Sequence, residues 1–156
     1  MLDNELVLEA AHTPFTSLFA DEYEEATGKS YHPGNELTSL TPRCKGEARE
    51  QLLALAWQAI GRIEAAWGQN MWLVFHHMGI VDRKEDVVSA LGSLLMGCHG
   101  HGVGIDDDYS EAREKASDIL EPHRSERRIK DHPCHIDDSK WRELAANEVA
   151  KYLKKS

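Results

Sequence analysis

The sequence predicts an all-α fold, a single compact domain of five or six helices spanning residues 1–156. Three observations predict it. Apolar residues recur at three- and four-residue steps, the spacing of one helix face. The punctuation is that of helix ends, with Thr-Pro, Asn or Asp before the apolar runs and Gly after them. Only one stretch, NMWLVFHHMGI, reads equally as a strand, and no second strand exists to pair with it.

Taken in order, Thr13-Pro14 offers an N-cap and a first-turn proline, and Gly28 closes the helix they would open. Phe15, Leu18, Phe19 and Tyr23 give this helix an apolar face opposite an acidic one. Residues 29–41 contain Pro33-Gly34 and no period, and read as loop. The strongest helix runs from about 46 to 67, with Leu52, Leu53, Ala56, Trp57, Ile60, Ile63 and Trp67 as a broad stripe and Gly68 as its stop. Its length and stripe make it the expected central helix. Gly61 inside it costs about 1 kcal/mol of propensity, which a close helix neighbour would explain. A short helix follows, capped by Asn70 and ended by Gly79, then one over roughly 83–98 capped by Asp82, with Val87, Val88, Leu91, Leu94 and Leu95 on one side. Residues 97–108, GCHGHGVGIDDD, form a Gly/His/Asp loop. A further helix starts at Asp108 or Ser110 and stops before Pro122. Asp138 or Ser139 caps the last one, over about 139–154, with Trp141, Leu144, Ala145, Val149 and Leu153 inward and Lys151, Lys154 and Lys155 at its negative end.

A chain of 156 residues, 41% apolar, can bury a real core as one domain. Its 18 basic and 27 acidic residues leave a net charge of −9, and the excess sits in two blocks. The first comprises Asp3, Glu5, Glu9, Asp21, Glu22, Glu24 and Glu25, with no Lys or Arg through residue 28. The second, over 105–121, is led by Asp106, Asp107 and Asp108 and holds only Arg113 and Lys115 against its acids. Such blocks repel phosphate, so direct nucleic-acid binding and an anionic membrane surface are excluded. They attract basic protein surfaces instead.

No apolar run is long enough to cross a bilayer, and Asp3 and Glu5 stand where a secretory signal would be basic. Three cysteines cannot all pair within the chain, so reduced thiols or metal ligands in a cytoplasm are expected. Two clusters have ligand chemistry. Cys98 and His101 are separated by two residues, and His132-Pro133-Cys134-His135 lies about thirty residues on. Cys98, His101, Cys134 and His135 would make a tetrahedral zinc site tying two loops together; a helix end capped by histidine and acid is the simpler account of the first cluster. No motif singles out Cys44, Cys98 or Cys134 as a nucleophile. A phosphate cradle in the glycine loop is excluded by the three aspartates that follow it.

Gly104-Ile105-Asp106, Glu111-Ala112 and Lys115 resemble the turn and acidic helix start of the all-α nucleoside-triphosphate pyrophosphohydrolases, over some thirty residues. The resemblance implies two pairs of acids holding magnesium on a triphosphate. Glu47 and Glu50 resemble the first pair. The second pair's positions hold Val88 and Leu91, with Asp82, Glu85 and Asp86 out of register.

The leading expectation is therefore a small acidic cytoplasmic protein that acts by binding another protein, as an inhibitor or adaptor of a basic, nucleic-acid-handling partner. In size and charge it is similar to small acidic proteins that block phage-defence or DNA-processing machinery. The contacts expected are Asp21, Glu22, Glu24 and Glu25, with Asp106, Asp107 and Asp108. The alternative is a metal-dependent enzyme, a zinc hydrolase on the Cys/His clusters or a pyrophosphohydrolase-like protein with degenerate acids. A homo-oligomer is a third expectation, because Trp57, Trp67, Trp72 and Trp141 are many large rings for one small core.

Overall fold

The computed structural model describes residues 1–31, 43–98 and 139–155, apart from the side chains of Ala66, Trp67, Gly97 and Cys98. Five helices and no strand occur among the described residues: α1 (Asn4–Thr27), α2 (Glu47–Trp67), α3 (Met71–His77), α4 (Lys84–Cys98) and α5 (Ser139–Lys155). The fold is all-α, and the helices share one hydrophobic core. The helix expected between 108 and 122 lies outside the described residues, as does the glycine loop beyond Cys98.

α1 begins ten residues earlier than its Thr-Pro signal suggests. Asp3 is the N-cap, its Oδ1 accepting from the Leu6 amide at 2.9 Å, and Pro14 lies inside the helix. Residues 6–11 are apolar except for Glu9, and Leu6, Val7, Leu8, Ala10 and Ala11 are buried together with Phe15, Leu18 and Phe19. A helix buried on several sides carries little amphipathic signal. That burial makes α1 the hub, in place of α2: it packs against α4, α5 and α2.

The tightest approach is to α4. Proline lacks an N–H, so Pro14 leaves the Ala10 carbonyl without its helical donor. Gly92 of α4 sits at that spot. A Cβ there would lie 2.7 Å from Thr13 Oγ1 and 3.4 Å from the Ala10 carbonyl oxygen. Gly61 has the opposite setting. It is exposed, and a Cβ there would meet nothing within 4 Å. The close neighbour expected at Gly61 is thus found at Gly92.

Three other helix ends, at Gly28, Gly68 and Asn70, follow the sequence, and the start of α4 does not. Gly28 and Gly68 take left-handed conformations (φ 71° and 65°), each closing its helix through its own amide to Glu24 and Glu64 carbonyls. Asn70 Oδ1 accepts from the Trp72 and Leu73 amides at 2.9 and 3.3 Å. Glu64 Oε2 accepts from the Met71 amide at 2.7 Å, fixing the corner between α2 and α3. Arg83, rather than Asp82, precedes α4, its carbonyl accepting from Val87. Of the four tryptophans, Trp141 is fully buried in α5, Trp72 is half-buried, and Trp57 departs from the expected core stripe. Trp57 is 37% exposed, with its indole N–H donated to Asn4 Oδ1 at 3.0 Å.

Candidate functional site

The orientation of α1 decides which acids face outward. Four rings lock its C-terminal half: Phe19 lies 5.2 Å from Tyr31 and 5.7 Å from Tyr152, and Tyr23 lies 5.2 Å from Tyr31 and 6.1 Å from Tyr152, between ring centroids. These tilted and edge-to-face contacts join α1 to α5 and to the segment after α1. With Phe19 and Tyr23 held inward, helical periodicity turns Asp21, Glu24 and Glu25 to the solvent, and all three are exposed. Glu22 falls on the flank facing α5. It is half-buried, with its Oε1 3.7 Å from the Arg142 guanidinium.

Two further acids of the first block, Glu5 and Glu9, are ion-paired, and Asp3 serves as the N-cap of α1. Arg43 donates to Glu9 at 2.9 Å, and Arg49 donates to Glu5 at 2.6 Å. The pairs are exposed and individually worth little, but they cancel the charge locally. No such pair joins Asp21, Glu24 or Glu25 among the described residues. Glu24 and Glu25 also sit in the last turn of a helix that has no basic residue there, with Asp21 a turn earlier. That end carries the negative pole of the helix dipole, so the acids there are held against their local electrostatics. The acids opening α2 and α4, Glu47, Glu50, Glu85 and Asp86, lie at the favourable pole.

Catalytic chemistry finds little support in the described residues. Burial, with the Glu148 carboxylate nearby, pushes the Cys44 thiol up to about 12, so it is not a thiolate nucleophile near neutrality. Glu47 bonds Gln51 and Glu50 bonds Arg49, both on the surface of α2. Val88 is half-buried and Leu91 fully buried, as apolar packing residues of α4. Among the described residues no three His, Cys, Asp or Glu groups converge as metal ligands. The sequence-predicted zinc set lies elsewhere: Cys98 ends α4, its side chain is not described, and His101, Cys134 and His135 fall outside the described residues. Asp106, Asp107 and Asp108 fall outside them as well. No helix among the described residues is long and apolar enough to cross a membrane.

The residue that sequence reasoning missed is His12. It is only 9% exposed, packed edge-on against Phe15 at 6.1 Å, with Nδ1 donating to the Leu8 carbonyl at 2.8 Å. Its spacing from Phe15 and Phe19 places it on the buried face, a signal hidden while Pro14 is read as the helix start. Comparison with protein-family models, characterised proteins and solved structures finds no match to this chain.

Proposed function

We propose that the protein acts by binding a partner protein with a basic surface, as an inhibitor or adaptor of a nucleic-acid-handling protein in the cytoplasm. The observation that carries this reading is the set of outward-facing carboxylates Asp21, Glu24 and Glu25, without an ion pair among the described residues, with Glu24 and Glu25 at the unfavourable end of α1. Residues that oppose their own fold's electrostatics are the mark of a site kept for another purpose. Asp106, Asp107 and Asp108 would extend the acidic surface. Cationic side chains on the partner would relieve the repulsion, speed encounter and fix register.

The test is the triple variant Asp21→Lys, Glu24→Lys, Glu25→Lys. Wild type and variant, immobilised as full chains, are compared for retention of basic proteins from a cytoplasmic extract at physiological salt. At least a tenfold loss of retention is expected. The melting temperature should hold or rise, since Lys near a helix C-terminus is favourable. Equal retention by both proteins removes the site.

Zinc on Cys98, His101, Cys134 and His135 is a separate proposal that rests on ligand type and spacing. Elemental analysis of untagged protein should give about one zinc per chain, with a lower melting temperature after chelation. Metal-free protein with unchanged melting overturns it.

A further inference from the structure

His12 stands apart from the acidic surface and has no role in it. Its Nδ1–H is committed to the Leu8 carbonyl, so the neutral ring carries its lone pair on Nε2. That Nε2 is buried and has no hydrogen-bond partner. One helical turn away, Glu9 is held by Arg43, which belongs to the segment leading into α2. Arg43 and Glu9 are the charged groups that act on the ring among the described residues; α2, α4 and α5 add none.

We propose that His12 makes the seating of α1 acid-sensitive, holding as a neutral imidazole and letting go when a solvent proton is taken up at Nε2. The neutral ring fits its pocket. The charged ring has a new N–H donor with no acceptor and a positive charge beside the Arg43 guanidinium. It has two ways out. It can take Glu9 from Arg43, or it can turn Nε2 to water and give up both the Leu8 bond and the Phe15 contact. The first path breaks the tie between α1 and the segment before α2; the second empties a position in the middle of α1.

The direction of the pKa agrees. Burial, set against the Leu8 hydrogen bond and reinforced by Arg43, holds His12 below the usual value of 6.5. A basic group with a lowered native pKa destabilises nothing above 6.5. As pH falls below 6.5 the unfolded chain takes the proton first, and stability drops until the native pKa is passed. Over that window the folded-to-unfolded ratio falls by at most about tenfold per pH unit for this one group.

The experiment has two readouts on the full chain. Urea unfolding is followed between pH 7.5 and 5.5 for wild type, for His12→Asn, and for a His76→Asn, His77→Asn control on the exposed end of α3. Nitrogen-15 spectra of the imidazole rings follow the wild type over the same range. The loss of stability towards pH 5.5 should flatten in His12→Asn and persist in the control. At pH 6.5, where a free imidazole is half charged, the His12 ring should be more neutral than charged, with the neutral fraction in the Nδ1–H form. Arg43→Gln should bring the His12 midpoint back up, because it removes a like charge and frees Glu9. A pH profile unchanged by His12→Asn, or a His12 ring titrating as a free imidazole, overturns the proposal. If His12→Asn does not fold, the ring spectra of the wild type decide.

Discussion

Single residues in this protein do opposite things according to what surrounds them. Cys44 is a thiol held in apolar surroundings on the segment before α2. Its raised value of about 12 means the unfolded chain ionises first, so stability declines as pH climbs from about 9 towards 12. Near pH 8 the folded protein should leave Cys44 unalkylated by iodoacetamide, and denaturant should expose it, with peptide mass spectrometry reading the difference. Rapid labelling of Cys44 in the native protein would mean that the segment opens readily. His12, by contrast, is legible as a core histidine only once the helix start is placed correctly. Glu22 sits in the same acidic run as Glu24 and Glu25, yet ends in an ion pair with Arg142. No local pattern announces that pairing, because its partner is more than a hundred residues away.

Helix ends were the most readable elements. Gly28, Gly68 and Asn70 do what their types require, because capping is decided within a few residues. Two departures, the start of α1 and the reason for Gly61, share a cause. A proline and a glycine each have a local reading and a tertiary one, and the tertiary one won. The glycines offer a matched test. Gly61→Ala should stabilise the fold by about 0.5–1 kcal/mol, since it gains helix propensity and meets nothing. Gly92→Ala gains the same propensity but pushes against Thr13 and the Ala10 carbonyl, and should cost about 1–3 kcal/mol net of that gain. Urea unfolding of the two variants reads both signs. Equal stabilisation would show that α1 and α4 part easily.

At the scale of the molecule, the all-α class was legible because periodicity and punctuation agree along the chain. The candidate site was legible as composition, and its geometry was not. The sequence contains an acidic block of seven residues up to Gly28. The fold spends Glu5, Glu9 and Glu22 on internal pairs and presents Asp21, Glu24 and Glu25. The charge-reversal experiment belongs at this scale, since a net −9 attracts basic surfaces over a Debye length of about 8 Å, while under the proposed function the three presented carboxylates would set the register of the contact. Its effect should shrink as salt rises.

The contact between α1 and α5 has a consequence in time. On a ribosome, α1 emerges before the other described helices, with Phe15, Leu18, Phe19 and Tyr23 made ahead of the helices they lie against. Tyr152, which closes the aromatic cluster on that face, is synthesised more than 120 residues later. α4, which also packs against α1, is made earlier but does not supply Tyr152. The nascent chain therefore carries this cluster without its α5 ring while more than 120 further residues are made, and α5 is what completes the cover on that face of α1.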